Sequence, residues 1–310
     1  MILTVTLNAS IDKTYTIESF VIDRINRPSQ CRTVPGGKGI NVARVLKELG
    51  RDVLTTGFVG GSIGDAICRG LDREGIKHDF VRVEDESRLC IKIVDPKNGT
   101  QTEINEPGPT ITDLELEELV QKVDDLVRGC DFVVFSGNCP PGVPTNFYAD
   151  LIELARQHNV KAVLDASGEP MAEGIKAAPF MIKPNASELS ELTGHELCTV
   201  EEILNAAESV RRNGIEIVAV TMGRSGAVVT NGKESWQAIP PEINFASSVG
   251  SGDSFVAAFL DSILRGESLK DALAWGTAAG AANATTYGAG FCSKSSIIDI
   301  RQGVTLNQIG

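Results

Sequence analysis

Short apolar runs with the pattern of strands alternate with amphipathic segments along most of this 310-residue chain. In the amphipathic segments the apolar residues recur at helical spacing, every three or four positions. The predicted strands are Ile2–Leu7, Val53–Phe58, Phe132–Ser136, Ala162–Leu164, Phe180–Ile182 and Ile217–Thr221. The predicted helices are Ile40–Leu49, Ile63–Glu74, Asp113–Val127, Thr145–His158, Ser187–Thr193, Val200–Asn213 and Leu269–Thr285. This alternation predicts an α/β fold, with a mainly parallel central sheet and helices on both of its faces.

Two segments, Thr14–Val34 and Ser87–Asn105, interrupt this alternation because neither carries a helical period. Both alternate apolar and polar residues instead, and in the second of them Lys92 stands between Ile91 and Ile93. An alternation with period two predicts strands. We therefore expect these segments to form extra strands outside the main sheet. A small sheet with an apolar face would also need a cover for that face.

The composition excludes several classes of function. The net charge of −12 argues against nucleic acid and anionic membranes as partners. No run of about 18 apolar residues predicts a membrane span, and Met1–Leu7 carries no basic leader, so no signal peptide is expected. The seven cysteines are odd in number and form no C-x-x-C pair, which indicates reduced thiols in the cytoplasm. Three scattered histidines leave little material for a His-rich metal site or a Ser-His-Asp triad.

The segment Asn244–Phe255 contains a glycine turn that opens directly into a helix. Gly250 and Gly252 expose backbone N–H groups without a Cβ in the way. Those donors, together with the positive end of the helix dipole, predict an anion site. Asp253 places a carboxylate beside it, which suggests a base next to a transferring phosphoryl group. The alternative is an ordinary helix N-terminus with an Asp near its cap.

A second glycine run, Pro35–Leu46, also leads into a helix, with Lys38 in the run and Asn41 just inside the helix. It is not a P-loop, because that motif needs Ser or Thr after its Gly-Lys pair and an earlier Gly five residues upstream. Here Gly39 follows Lys38, and Cys31 or Arg32 stands where the first glycine would be. No clean G-x-G-x-x-G follows the first strand either, which disfavours a dinucleotide-binding fold.

The chain resembles the PfkB carbohydrate kinases of the ribokinase-like superfamily over essentially its whole length. The resemblance rests on motifs that occur in the family's order: Thr6–Asp12, Gly36–Ala43, Ser136–Gly142, Ile182–Asn185 with Glu188, Thr221–Ala227 and Val249–Ser254. It implies one ribokinase-like kinase domain over residues 1–310, with inserted segments at about 13–35 and 87–106 forming a small β-sheet lid over the sugar site. It also implies that two lids pair in a homodimer. The most similar branch phosphorylates sugars that already carry a phosphate.

The resemblance makes Asp253 the catalytic base, which would accept the proton of a sugar hydroxyl during phosphoryl transfer. The phosphoryl oxygens would be bound by the backbone N–H groups of Gly250, Ser251 and Gly252. Ser251 replaces the alanine that is usual in the family, and it is still a small residue. The sugar itself would be contacted by Asp12, Gly36, Gly37 and Asn41. The alternative for these residues is a helix or turn cap for the aspartate and a tight turn for the glycines.

An acidic protein that binds a sugar phosphate must do so with local cations. Arg27, Arg88 and Lys38 come from three separate segments. By the resemblance, Arg27 and Arg88 match positions that hold the substrate phosphate, and Lys38 would add a third local cation. Arginine binds phosphate bidentately, and lysine binds it as a point charge. The alternative for each is a solvated surface charge. Asn138 departs from the family, which usually has a serine there to help hold the sugar phosphate. Its amide can still donate, but with a different geometry.

Lys183, Asn185 and Glu188 form a Lys-Pro-Asn-x-x-Glu element at the end of an apolar run. By the resemblance, Lys183 would reach the nucleotide phosphates, and Asn185 and Glu188 would position Mg²⁺ through water, because Mg²⁺ keeps much of its hydration shell. The alternative is a surface turn leading into the next helix. The rest of the nucleotide pocket would be lined by Thr221, Gly223, Gly226, Ser248 and Asn283.

The resemblance, with these residues in place, implies an ATP-dependent kinase that acts on a ketohexose monophosphate. The favoured reaction converts fructose 1-phosphate to fructose 1,6-bisphosphate, with tagatose 6-phosphate and fructose 6-phosphate as rival substrates. The sequence does not separate the three, because the choice of acceptor hydroxyl depends on the fine geometry of the pocket. A rival from another class is a non-catalytic sugar-phosphate sensor. It is disfavoured because the chain has both Asp253 and the glycine turn Gly250–Gly252, which we call the anion turn.

Overall fold

The computed structural model describes all residues from 1 to 310. The strands are β1 (Ile2–Thr6), β2 (Ser10–Thr16), β3 (Gln30–Gly36), β4 (Val53–Gly60), β5 (Lys77–His78), β6 (Val81–Val83), β7 (Arg88–Asp95), β8 (Thr100–Asn105), β9 (Phe132–Ser136), β10 (Lys161–Asp165), β11 (Met181–Ile182), β12 (Ile217–Thr221), β13 (Ala227–Thr230), β14 (Ser235–Ile239) and β15 (Thr305–Gln308). The helices are α1 (Lys38–Glu48), α2 (Gly61–Glu74), α3 (Asp113–Val127), α4 (Phe147–Gln157), α5 (Gly168–Lys176), α6 (Ala186–Thr193), α7 (Val200–Arg211), α8 (Ser251–Leu264), α9 (Leu269–Ala284) and α10 (Lys294–Gln302).

The main sheet has eleven strands in the order β15-β14-β13-β12-β11-β10-β9-β1-β4-β5, with β6 also paired to β4. The strands β12, β11, β10, β9, β1 and β4 run parallel, and so do β5 and β6, which pair with β4. The strands β13, β14 and β15 add an antiparallel edge. Successive residues of β9 pack into different cores: Val134 belongs to one apolar cluster and Val133 to the other. The sheet is therefore covered by helices on both faces, which explains why its central strands β1 and β9 are buried at every residue.

The predicted α/β class and mainly parallel sheet are confirmed, and each predicted helix and strand is present with bounds within two residues. The pattern missed β5, β6 and the antiparallel edge strands, which are only two to five residues long. It also missed two nine-residue helices, α5 and α10. Helix α5 begins at Gly168 and contains Gly174, which weakens a helical pattern. No helix of the structure is both long enough and apolar enough to cross a membrane.

A separate four-stranded sheet has the order β3-β2-β7-β8. It is built largely from the two segments that lack a helical period, although β2 begins at Ser10, before the first of them. Its central strand β2 pairs antiparallel with β3 and parallel with β7. Asp12 and Lys92 lie on one face, where they form an ion pair. Ile91 and Ile93 lie on the opposite face because side chains alternate along a strand. The expected small sheet is thus confirmed, whereas its action as a lid and the single-domain organisation stay predictions.

Candidate active site

Polar side chains from distant parts of the chain meet where the carboxyl ends of the central parallel strands face the first turns of α1 and α8. Asp165 ends β10, Asn41 lies in the first turn of α1, and Asp253 lies in the first turn of α8. Asn41 donates from Nδ2 to Asp253 Oδ2 at 2.8 Å, and Lys38 donates from Nζ to Asp165 Oδ1 at 3.0 Å. Ligands of open α/β sheets bind at this edge.

The turn before α8 forms a cradle of free backbone donors. Gly250 has φ 82°, and a Cβ there would lie 2.5 Å from Ala289 Cα, so only glycine fits. The N–H groups of Gly250, Gly252 and Asp253 donate to no group of the protein, whereas Ser251 donates its N–H to Ser248 O at 3.1 Å. The free donors are therefore not quite the predicted set, because the Ser251 N–H is engaged and the Asp253 N–H is available.

The carboxylate of Asp253 is buried beside these donors, with 6% of the residue exposed. Oδ2 accepts the Asn41 hydrogen bond and Oδ1 has no partner in the protein. Burial, reinforced by the charge of Asp165, raises the pKa of Asp253 to about 6, against the lowering effect of Lys38, the Asn41 hydrogen bond and Lys183. A carboxylate with such a pKa and an open oxygen has the properties of a general base at neutral pH.

Asp165, which the sequence analysis did not single out, joins the two lysines of the site. It is fully buried, and its Oδ1 accepts from Lys38 Nζ at 3.0 Å and lies 3.3 Å from Lys183 Nζ. Burial alone would raise the pKa of Asp165, but the charges of Lys183 and Lys38 outweigh it and hold that pKa below its ordinary value. Its position directly after the apolar run Ala162–Leu164 was the available signal.

Arg44 is a second residue that the sequence analysis missed. It is 7% exposed and donates to Asn41 Oδ1 at 3.0 Å, to Ala289 O at 2.9 Å and to Pro35 O at 2.8 Å. Glu74 balances its charge at 2.7 Å. Because Arg44 engages the oxygen of the Asn41 amide, the Asn41 NH₂ group must face Asp253. The available signal was a charged residue on the apolar face of a predicted helix.

The predicted sugar-binding residues Asp12, Gly36 and Gly37 lie together where β2 meets β3. Asp12 is 9% exposed and its Oδ1 accepts from Ser10 Oγ at 2.8 Å. A Cβ at Gly36 would clash with that same Oδ1, so glycine at this position leaves room for the carboxylate. Asp12 Oδ2 accepts from Lys92 Nζ at 3.2 Å, a contact that the sequence analysis did not foresee.

The predicted phosphate-binding cations have different surroundings. Arg88 is half-buried on β7 and donates from Nε to Asn8 O at 3.1 Å, which leaves both Nη groups unpaired. Asn138 is exposed, and its oxygen accepts from Ser167 Oγ at 3.4 Å while its NH₂ group is free. Arg27 is exposed between β2 and β3 and makes no hydrogen bond or ion pair. Within one chain, no hydrogen bond or ion pair links Arg27 to the other site residues.

Asn185 and Glu188 form a reciprocal cap at the start of α6. Glu188 N donates to Asn185 Oδ1 at 2.8 Å, and Asn185 N donates to Glu188 Oε2 at 2.8 Å. Glu188 Oε1 stays without a partner, and no group of three His, Cys, Asp or Glu side chains could hold a metal. The residues therefore fit Mg²⁺ only in a hydrated form that also binds substrate phosphates.

The other predicted nucleotide residues surround the same edge of the sheet, with one exception. Thr221 pairs with Asn185 across an isolated bridge, and Gly223 and Gly226 follow it in the chain. Ser248 is exposed just before the anion turn.

Asn283 is the exception, and here the expectation of a nucleotide contact is corrected. It is fully buried. Its NH₂ group donates to Val249 O at 2.7 Å, and its oxygen accepts from Gly290 N at 2.8 Å. With both ends of its amide engaged, Asn283 holds the anion turn from behind.

Known proteins are similar to this chain over most or all of their length. The profile of the pfkB family carbohydrate kinases matches residues 5–296. The chain is 35% identical over 312 residues to a tagatose-6-phosphate kinase of Staphylococcus epidermidis, covering 100% of both chains. It is 36% identical over 285 residues to the 1-phosphofructokinase of Borreliella burgdorferi, covering 92% of each. The solved structure of phosphofructokinase-2 from Escherichia coli in complex with substrates and products has a TM-score of 0.92 at 29% identity, covering 97% of this chain and 98% of that one.

These matches confirm the resemblance that the motifs indicated. The family profile spans nearly the whole chain, both sequence relatives are kinases, and the structural relative has the same ribokinase-like fold. A buried carboxylate beside free N–H donors is also the arrangement that phosphoryl transfer to a hydroxyl requires. The chain therefore belongs to the pfkB family of carbohydrate kinases and is an ATP-dependent phosphotransferase.

Proposed function

We propose that this protein transfers the γ-phosphoryl group of ATP to a hydroxyl of a ketohexose monophosphate, and that fructose 1-phosphate is the favoured acceptor. The product would be fructose 1,6-bisphosphate. The observation that carries the proposal is the open oxygen of Asp253, Oδ1, next to the free N–H groups of Gly250 and Gly252. A proton acceptor and an anion cradle at one point match the two needs of an in-line transfer to an alcohol.

Each group has a defined task in this reaction. Asp253 Oδ1 accepts the proton of the attacking hydroxyl, while Asn41 holds the other oxygen in place. The free N–H groups of the turn and Lys183, whose Nζ would lie 3.2 Å from a Cβ at Gly252, bind the transferring phosphoryl group. Mg²⁺, bound through water near Glu188 Oε1, would supply additional positive charge to the phosphates.

The choice of sugar rests on the relatives. The 1-phosphofructokinase of Borreliella burgdorferi and the tagatose-6-phosphate kinase of Staphylococcus epidermidis are similar to this chain to nearly the same degree. Tagatose 6-phosphate is therefore the principal alternative, and fructose 6-phosphate is the third. All three are dianions that the free Nη groups of Arg88 and the NH₂ group of Asn138 could bind. A non-catalytic sensor would have no need to retain a buried base with a raised pKa.

We also propose that the small sheet pairs with a second copy of the chain. Its outward face carries the half-buried Ile91 and Ile93, and Ile104 is 55% exposed there. Ile22 and Ile25, on the segment that also carries Arg27, are 85% and 83% exposed. So much apolar surface on one element favours a protein partner. A homodimer would cover it and would give the isolated Arg27 a neighbour.

The decisive experiment measures ADP release with ATP, Mg²⁺ and each of the three sugar phosphates, and identifies the product by phosphorus NMR. We expect the highest kcat/KM with fructose 1-phosphate and a bisphosphate product. Turnover confined to tagatose 6-phosphate or fructose 6-phosphate would replace the favoured substrate with that sugar. Calorimetric binding of a sugar phosphate without any ADP release would instead identify a sensor.

A further inference from the structure

Lys92 has a position that is unusual for a lysine. It lies in the middle of β7, where its side chain is 12% exposed, and its Nζ is 3.2 Å from Asp12 Oδ2. Lysine is depleted in strands and is almost never buried without a partner. Its neighbours Ile91 and Ile93 lie on the outward face of the small sheet, so Lys92 lies on the face turned toward the active site.

The surroundings of Lys92 connect the sugar-binding residues with the anion turn. A small cavity is lined on one side by Asp12, Arg32 and Lys92 of the small sheet, and on the other by Val249 and Ala289. Val249 directly precedes Gly250, and Ala289 packs against it. Lys92 therefore lines the same cavity as the carboxylate predicted to bind the sugar and as Val249, which precedes the turn predicted to bind the phosphoryl group.

The two cations that line this cavity are not equivalent. Arg32 donates from Nη1 to Tyr287 O at 2.6 Å, and its guanidinium lies 3.8 Å from the ring centroid of Phe291. Lys92 makes a single hydrogen bond, to Asp12, and so retains two unused N–H donors. Each Asp12 oxygen accepts one hydrogen bond and keeps further lone pairs. Donors and acceptors thus stand side by side with capacity left for a ligand.

Stability alone does not account for this pair. Desolvating two charges costs about as much as their attraction returns, so a buried ion pair is weak evidence for a stabilising role. A sugar hydroxyl, in contrast, is both donor and acceptor, and adjacent hydroxyls of a sugar can donate to a carboxylate while accepting from an ammonium group. The Lys92–Asp12 pair matches that pattern of hydrogen bonding.

We propose that Lys92 contacts the sugar and determines specificity: together with Asp12 it binds a pair of adjacent hydroxyls on the ketose phosphate. The inference rests on the proposed function, since it requires a sugar at Asp12. Sites that hydrogen-bond a substrate hydroxyl discriminate strongly against analogues that lack it, because the site's buried polar groups are then left unpaired. Lys92 would therefore separate ketoses by the arrangement of their hydroxyls, while Arg88 would read the phosphate.

The test compares Lys92→Met with Lys97→Met, which removes an exposed lysine from the turn between β7 and β8 of the same hairpin. For Lys92→Met we expect KM for fructose 1-phosphate to rise roughly ten- to a hundredfold, with KM for ATP within about twofold of the parent. Lys97→Met should match the parent. Calorimetric affinity for fructose 1-phosphate gives the same comparison without turnover.

Deoxy sugars separate a sugar contact from a structural role. The parent protein should bind 3-deoxy or 4-deoxy fructose 1-phosphate more weakly than fructose 1-phosphate. For the analogue that lacks the hydroxyl contacted by Lys92, the Lys92→Met variant should bind as well as the parent protein does. If Lys92→Met lowers the affinity for fructose 1-phosphate and for both deoxy analogues by the same factor, Lys92 has a structural role and the proposal is overturned. The double variant Asp12→Asn/Lys92→Met removes both charges, so it should fold even if Lys92→Met alone does not. In this double variant the preference for fructose 1-phosphate over the deoxy analogue must also be lost.

The inference and the proposed function fail in different ways. A parent protein that binds and phosphorylates a ketose phosphate, with Lys92→Met unchanged in both affinity and sugar preference, overturns the inference alone. A parent that binds none of the three sugar phosphates overturns the proposed function and the inference together.

Discussion

Replacing Asp253 with asparagine should make this protein more stable and at the same time nearly inactive. The substitution keeps the size of the side chain and leaves an oxygen that can accept the Asn41 hydrogen bond. It removes the proposed proton acceptor, a loss that on the usual scale of general-base catalysis costs at least about a hundredfold in kcat. Binding of ATP should be retained, because the N–H donors of the turn belong to the backbone.

The stability gain follows from the pKa of the buried carboxylate. Burial and the charge of Asp165 raise the pKa of Asp253 to about 6 from an ordinary 3.8. The native state therefore holds this proton more tightly than the unfolded state, and stability falls as pH rises from about 4 to about 6. At about 1.36 kcal/mol per pH unit, ionised Asp253 costs the native state about 3 kcal/mol at pH 8. Asparagine carries no charge, so the variant avoids this cost above pH 6 and gains nothing near pH 4.

The assay is a pair of measurements on the parent, on Asp253→Asn and on Asp299→Asn, a control at an exposed aspartate of α10. Urea unfolding at pH 8 and pH 4.5 gives the stability difference and its pH dependence. In the parent, kcat/KM should rise with a midpoint near pH 6 as Asp253 loses its proton. The sugar phosphate also ionises near that pH, so the residual activity of the variant reports the contribution of the substrate alone.

Two results would refute the reasoning. Turnover of Asp253→Asn within tenfold of the parent would show that another group accepts the proton. If the variant is less stable than the parent at pH 8, the ionised Asp253 carboxylate stabilises the native state, contrary to the reasoning from its raised pKa. The expected combination of higher stability with lost activity is one that general damage to the fold does not produce.

Three further predictions follow from the same structure. Arg88→Ala should raise KM for the sugar phosphate roughly ten- to a hundredfold and leave KM for ATP nearly unchanged; Arg24→Ala, at an exposed arginine, is the control, and a weakened ATP affinity would contradict the assignment. Ile91→Glu should convert a dimer into a monomer in light scattering, unless the parent is already monomeric at micromolar concentration. Asp165→Asn should raise KM for both substrates and move the midpoint of kcat/KM below pH 6, because the charge that raises the pKa of Asp253 is lost; an unchanged or higher midpoint would count against this coupling.

Local sequence was sufficient for the central strands, for most of the helices and for the glycine turn at Gly250–Gly252. Apolar periodicity located the central strands, and the Gly250–Asp253 sequence predicted both the turn and the helix that follows it. These features depend on neighbours within a few residues, which a pattern contains. The same reasoning failed for Asn283, because a small-residue helix indicates close packing without showing what the asparagine's amide contacts. The burial of that amide behind the turn depends on tertiary packing, which the local sequence does not show.

The long-range side-chain contacts of the site could not be predicted for a related reason. Lys38 and Asp165 are 127 positions apart in the chain, and Asn41 and Asp253 are 212 apart. The residues around one partner in the sequence do not indicate which distant residue it contacts. Lys92 illustrates the ambiguity of strands: alternation placed it opposite Ile91 and Ile93, but only the packing of the small sheet shows which face meets the active site.

The two buried carboxylates of the site explain how an acidic protein assigns its base. Asp165 lies between Lys38 and Lys183, which hold its pKa below the ordinary value, whereas Asp253 has only the Asn41 amide as a direct partner and a pKa of about 6. When environments push the pKa values of neighbouring groups apart, their roles separate. In the proposed reaction, a proton released by the sugar hydroxyl would therefore bind Asp253, since Asp165 stays ionised and keeps both lysines in place. The charge that makes Asp253 basic is thus the same charge that positions the cations of the site.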